Sequence, residues 1–317
     1  MQTANNSLKE RPKKAPMAIY LTGDAVKNHI NSILGSAKGT RFITSVVSMV
    51  NSNPALAECT NESILTACLE GESLNLSSNK NLGQWYPVPY DNRKKRCKEA
   101  QFQIGYKGYI QLALRTGQYE DIEVMEIREG EYKGRDKLTG KPQFEFIEDD
   151  AVREEKPIVG YMAYFKLING FLKVLYWSKE KMLKHADTYS KAFSVRATQG
   201  KYPKVSYEDY LAKKYNPDDE WLYSSFWYKN FDGMAFKTMI RQIISKWGIM
   251  SEEMQNAFER DMSVISEDGT VEYVDNDVEY TESEVIETEP EKIEESADQI
   301  PGQMEMDNPA MATLFGE

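Results

Sequence analysis

The segment Gln101-Phe-Gln-Ile-Gly-Tyr-Lys-Gly-Tyr-Ile-Gln-Leu-Ala-Leu-Arg-Thr-Gly117 changes its period partway along. Phe102 and Ile104 alternate as in a strand, and Gly105 then breaks the pattern. Tyr106, Ile110 and Leu114 follow at steps of four, the spacing of one helix face, until Gly117 stops the run. A strand that feeds a helix through one glycine constrains the fold around it. The same helix places Lys107, Gln111 and Arg115 along another side at the same step, two cations and an amide with no carboxylate among them. Such a stripe suits a polyanion.

A net charge of -11 argues against nucleic acid until it is divided by position. Residues 263–317 hold 17 acidic side chains against one lysine, Lys292, for -16, which leaves residues 1–262 at +5. The acidity belongs to the tail. Residues 263–308 keep no sustained period of 2 or 3.6, contain Pro290 and Pro301, and repel themselves, so disorder is expected there. Residues 309–317 regain apolar character through Met311, Leu314 and Phe315 at helical spacing. The tail reads as a solubilising extension, as a docking peptide for a partner, or as a DNA mimic that shields the basic body.

With 317 residues and 41% apolar side chains the chain has enough material for a real core. Cys59, Cys68 and Cys97 form no C-x-x-C pair, and no apolar run is long enough for a signal peptide or a membrane span. A reduced, cytoplasmic setting without a membrane is the simplest expectation. The two histidines, His29 and His185, lie far apart in sequence, which disfavours a His-rich metal site; neither metal nor cofactor is expected. Gly35-Ser-Ala-Lys-Gly-Thr40 has the letters of a phosphate loop but not the order G-x-x-x-x-G-K-[ST]. No nucleotide-hydrolysis site follows from it.

Residues 1–16 read as a loose polar arm, 17–262 as the ordered core and 263–317 as the tail. Helices are expected over 41–50 and 61–70, parted by Asn53-Pro54, with Phe42, Val46, Met49, Ile64, Leu65, Cys68 and Leu69 buried. Strands are expected over 84–90 and 101–104 around a loop holding Arg93-Lys-Lys-Arg96, then over 122–128, 144–147, 158–168 and 171–177. Asn169-Gly170 between the last two predicts a type I′ hairpin turn. Helices over 179–189 and 232–247 close the ordered part, so the class is α+β: antiparallel sheet and hairpins flanked by helices.

The helix from Asp232 repeats the opening pattern. Asp232 is read as its N-cap and Gly248 as the residue after its end, while Phe236, Met239, Ile240, Ile243, Ile244 and Trp247 make a broad apolar stripe. Lys237 and Arg241 sit at i, i+4 on the other side, which costs an isolated helix about 0.2–0.5 kcal/mol unless an anion is near. No carboxylate follows Asp232 until Glu252. The pair therefore reads either as a phosphate contact or as a solvated helix face.

Four pieces occur in register: Gly83-Gln-Trp-Tyr-Pro-Val-Pro-Tyr90; Gln101-Phe-Gln-Ile-Gly-Tyr-Lys-Gly108 with Leu112-Ala-Leu-Arg-Thr-Gly117; Trp177-Ser-Lys-Glu180 with His185 and Tyr189-Ser-Lys191; and Met234-Ala-Phe-Lys-Thr-Met-Ile-Arg241. Together they resemble the successive motifs of the RecT family of phage recombinases over roughly residues 55–247. The likeness fades in the N-terminal arm, over 196–219 and in the tail. The resemblance implies a single-strand annealing protein, related in fold to the Red-beta annealing proteins, that coats single-stranded DNA as a ring or helical filament and pairs it with its complement without ATP. It also implies work beside a phage exonuclease and the host single-strand-binding protein. The motif cations Lys107, Arg115, Lys191, Lys237 and Arg241 are all present, whereas Gln242 stands where relatives often carry a second arginine.

An annealing protein must hold phosphates, leave base edges free and tolerate any sequence, which cationic stripes and stacking rings do. The expected DNA-binding set is therefore Gln103, Tyr106, Lys107, Gln111, Arg115, Lys191, Phe226, Trp227, Lys237, Thr238 and Arg241. Tyr189 and Phe231 are further stacking candidates, and for each aromatic a place in the core or an interface is the competing reading. Arg93 to Arg96 reads as a solvated hairpin tip that adds field to the same domain. Two other classes remain: a metal-dependent nuclease built on Asp121 and Glu131-Tyr-Lys133, and an acidic scaffold resting on the tail alone.

Overall fold

The computed structural model describes residues 14–79, 81–92 and 95–261, with the backbone of Ser263–Ile265 and Val271–Tyr273. All of these lie in one unit, Met1–Val278. Its first part is helical: α1 (Met17–Thr22), α2 (Asp24–Leu34), α3 (Ser36–Asn51), α4 (Pro54–Ala57) and α5 (Asn61–Ser73). Then come β1 (Trp85–Asn92), β2 (Cys97–Ile104), α6 (Tyr106–Arg115), β3 (Tyr119–Arg128), β4 (Tyr132–Arg135), β5 (Pro142–Phe144) and α7 (Asp150–Glu155). The hairpin β6 (Ile158–Leu167) and β7 (Leu172–Ser178) leads into α8 (Lys179–Tyr189), α9 (Tyr207–Leu211), a 3-10 turn at Pro217–Tyr223 and α10 (Phe226–Lys229). The chain closes with α11 (Phe231–Trp247), α12 (Glu252–Arg260), β8 (Ser263–Ile265) and β9 (Val271–Tyr273). The class is α+β, as the alternation of periods implies.

Two antiparallel sheets share one core. The first has the order β1-β2-β8-β9 and packs α5 against β2. The second has the order β3-β6-β7 and lays α11 across β6, so Tyr161, Ala163, Phe165 and Leu167 of β6 point into the core. On the opposite face of β6, Tyr164 donates to Asp121 at 2.8 Å and Lys166 pairs with Glu120 at 2.7 Å, so that face is polar toward the hairpin end while Met162 is buried farther along it. The small β4-β5 pair forms its own sheet and packs on β7, with Tyr132 stacked on Tyr176 at 4.3 Å and Phe144 edge-on to the same ring at 5.7 Å. Among the described residues no helix is long and apolar enough to cross a membrane.

Three local readings change. The β6-β7 hairpin is present, but its turn is not type I′. Gly170 alone takes a positive φ of 84°, the Gly170 N–H donates to the Leu167 carbonyl at 2.9 Å, and Leu167 N–H donates to Phe171 O at 2.9 Å. This is the three-residue connection with a glycine bulge, because Asn169 stays on the ordinary side of φ and uses its side chain to accept from Phe171 N–H at 2.9 Å. The N-cap of α11 is Asn230, whose side chain accepts from Gly233 N–H; Asp232 instead accepts from Tyr161 OH at 2.6 Å. Gly248 is extended, and a β-carbon there would sit 2.4 Å from Tyr119 OH, so close packing is what its position demands.

The tail is also redrawn at its start. Phe102 of β2 pairs with Ser263, and β8 pairs with β9 in turn, so these two strands occupy sequence read as disordered. Strands of three residues are too short to display a period, and the open edge of β2 supplies backbone donors and acceptors whatever the side chains are. The other tail residues, including Met311, Leu314 and Phe315, lie outside the described residues, as do the arm residues 1–13 and the hairpin tip at 93–94. The last residues of the expected arm are tied down, since Lys14 donates to Ala57 O at 3.1 Å and Asn61 donates to Ala15 O at 3.0 Å.

Candidate nucleic-acid interface

The strand-to-helix junction is a close approach of two backbones. A β-carbon at Gly105 would lie 2.2 Å from Gly83 O, and one at Gly108 would lie 2.1 Å from Gln84 O. Only glycine lets the first turn of α6 press against the entry to β1. Lys107 emerges from this junction exposed, with its Nζ 6.0 Å from the Tyr106 ring centroid. Gln111, one turn on, is half-buried.

The third member of the stripe, Arg115, is exposed but already engaged by the protein. Arg115 donates to Leu74 O at 2.6 Å and to Asn75 O at 2.5 Å, and stands 3.5 Å from Glu253. Its guanidinium therefore closes the carbonyl end of α5, a role that cations commonly take at helix C-termini. Arg115 therefore has partners within the fold that its place on the stripe does not announce. Gln103 is half-buried and donates to Gln101 at 3.1 Å. Tyr106 is half-buried and packs edge-to-face on Phe236 at 5.4 Å.

On α11 the correction is larger. Lys237 is 5% exposed and Thr238 is 9% exposed. Lys237 pairs with Asp261 at 2.8 Å, and Arg241 donates to the same carboxylate and to Tyr109 OH at 2.7 Å. Asp261 also accepts from Ile104 N–H at 2.7 Å and from Tyr109 OH at 2.8 Å. Burial pulls the Asp261 carboxyl up, but Lys237, Arg241 and the Ile104 amide outweigh it and hold the group below its ordinary value. The two cations thus form neither an outward stripe nor a solvated face. They are one buried junction that ties α11 and the β2-α6 corner to the end of α12. Sequence reasoning missed Asp261 because it stands beyond the helix that carries the cations, where no i, i+4 rule reaches.

The remaining expected residues scatter. Lys191 is exposed just beyond α8, and Phe226 is 43% exposed at the start of α10. Trp227 is 7% exposed and packs on Phe231 at 5.3 Å and Phe193 at 6.2 Å, a core position. Phe231 is buried in the same cluster, while Tyr189 is exposed and leans on His185 at 4.6 Å. Burial, helped by Lys181, pushes His185 down to about 4, so it is a neutral packing ring.

The nuclease triple does not assemble. Glu131 is fully buried, accepts from Arg153 Nε at 2.6 Å and from Arg128 N–H at 2.7 Å, and so pins α7 to the end of β3. Asp121 accepts from Tyr164, and Lys133 pairs with Glu145 at 3.0 Å. Among the described residues no group of three or more acidic, histidine or cysteine side chains could hold a metal ion.

Comparison with known proteins adds what the geometry does not. An uncharacterized protein of Bacillus subtilis, YqaK, is 35% identical over 281 residues, which is 86% of this chain and 82% of that protein. Protein RecT of Escherichia coli is 26% identical over 133 residues, 41% of this chain and 49% of that protein. The RecT family model matches residues 40–279, which takes in every strand of the fold and the helices from α4 to α12. The chain belongs to the RecT family, whose members are annealing proteins of phage-type recombination rather than hydrolytic enzymes.

Proposed function

We propose that this protein binds single-stranded DNA and anneals complementary strands without ATP, working as a ring or helical filament on the DNA. The observation that carries this reading is the family match over residues 40–279. The separation of Asp121, Glu131 and Lys133 into three unrelated contacts supports it over the nuclease. The acidic scaffold has no observation in its favour beyond the composition of the tail.

Within the expected set, the structure supports a division of labour. Lys107, Gln111, Lys191 and Phe226 are the proposed strand contacts, because each presents surface to solvent; Arg115 is exposed too but is engaged by the Leu74 and Asn75 carbonyls. Gln103, Tyr106, Arg115, Trp227, Lys237, Thr238 and Arg241 are proposed to hold the frame that positions them. A phage exonuclease and the host single-strand-binding protein are the proposed partners, single strands and annealed duplex the proposed ligands, and the cytoplasm the proposed setting.

The test is annealing of two labelled complementary oligonucleotides in EDTA without nucleotide, followed by energy transfer between the labels. Faster annealing than the free strands, together with oligomers on the product seen by electron microscopy, is expected. Strand cleavage, or no acceleration over the free strands, would reject the reading.

A further inference from the structure

Three lysines that the motifs do not include converge on two tryptophans. Lys173 on β7 places its Nζ 4.0 Å from the centroid of Trp247, the last residue of α11. Lys246 reaches 6.0 Å from the same ring. Lys181, in the first turn of α8, lies 4.5 Å from the centroid of Trp177 at the end of β7. Among the described residues none of the three forms an ion pair with a carboxylate. Burial lowers the Lys181 pKa, and the charges that push it further are Lys246 and Arg135. Arg135 itself donates to Gly140 O at 2.9 Å on the edge of β4. Four cations from β4, β7, α8 and α11 thus stand in one field.

Such a cluster works against the fold. Like charges repel at this range, and the quadrupole of an indole face offsets a cation only weakly at an exposed site. A lone lysine in the last turn of α11 would need no explanation, because it complements the helix end. Neighbouring cations from other elements do need one. The indoles give the long stems a rigid bed, so the ammonium groups are held in place rather than left to sweep the solvent. Lys246 lies about 14 Å along the α11 axis from the buried Lys237, so the cluster is separate from the Asp261 junction.

We propose that Lys173, Lys181 and Lys246, bedded on Trp247 and Trp177, grip consecutive phosphates of a single DNA strand. The proposal rests on the annealing reading and names a strand-holding surface for it. The chain's own acidic tail is the competing polyanion, and the test must tell the two apart.

The test uses the full-length chain with all three lysines changed to Gln, and a second variant with all three changed to Arg. Binding to an oligothymidylate is measured across salt concentrations. Each lost phosphate contact lowers the salt slope by roughly 0.7 for single strands, so the Gln variant should lose about 2 while the Arg variant keeps the slope. The unfolding midpoint of the Gln variant should stay level or rise as repulsion is relieved. An unchanged slope in a Gln variant whose parent binds and anneals would overturn the patch, leaving its lysines to the tail, while the annealing function stood. A slope lost equally in the Arg variant would also overturn it, since the effect would then be structural. If the parent itself failed to bind, the functional reading would fall instead.

Discussion

Changing Lys237 to Ala separates the two readings of α11 more sharply than any other perturbation. Were this lysine an outward phosphate contact, alanine would relieve a like-charge pair with Arg241, leave stability level or slightly raised, and lower the salt slope of strand binding by roughly 0.7. The structure requires the opposite. Lys237 is 5% exposed and 2.8 Å from a carboxylate that is itself 3% exposed. Removal of one partner from a buried pair costs about 3–5 kcal/mol. Here Asp261 keeps Arg241, Tyr109 and the Ile104 amide, which places the loss at the low end of that range, about 3 kcal/mol. Asp261→Asn should cost more, about 3–5 kcal/mol, because it strands two cations at once. At roughly 2–4 °C per kcal/mol the difference is easily read by thermal or urea unfolding. The junction also titrates. Asp261 is held below its unfolded value of about 3.9, so its stabilisation is complete above about pH 4 and drains away as pH falls through the lower folded value. Asp261→Asn should remove that acid limb. A Lys237→Ala protein with an unchanged unfolding midpoint and a reduced salt slope would refute the buried-junction argument.

Other consequences can be measured directly. Glu131→Gln should cost about 1.5–3 kcal/mol in urea unfolding, because Arg153 loses the closer of its two carboxylate partners, and should leave DNA uncleaved in magnesium as in EDTA. Gly108→Ala drives a β-carbon to 2.1 Å from Gln84 O and 2.7 Å from an Ile104 methyl, so unfolding should move to lower urea by at least 1–3 kcal/mol, with wild-type stability counting against the packed junction. Truncation after Val278 removes a net charge of -11 while keeping the residues of β8 and β9; strand affinity should rise at low salt and converge with the full chain at high salt, whereas equal affinity throughout would exclude shielding. Burial pushes the thiols of Cys59 and Cys68 up to about 11 and 12, so a thiol reagent should label both at neutral pH only on unfolding, and fast labelling of either in the native protein would contradict the core assignment.

The elements were legible in the sequence because their signals are local. Gly105 and Gly117 bracket α6, the 179–189 period is α8 residue for residue, and Met239, Ile240, Ile243 and Ile244 of the α11 stripe are buried, with Phe236 half-buried and Trp247 exposed. The charge split between body and tail and the ordered motifs of the RecT family were likewise written in the chain itself. The partners of the cations were not. Arg115 meets carbonyls 40 and 41 residues earlier, Lys237 meets a carboxylate 24 residues later, and Lys173 and Lys246 share one indole from different elements. A helical period reports which side chains share a face and says nothing of what that face meets. Charges at i, i+4 look alike whether they point at solvent, at DNA or at a buried aspartate, and only the packing of α12 and the β2-α6 corner against α11 decided among them.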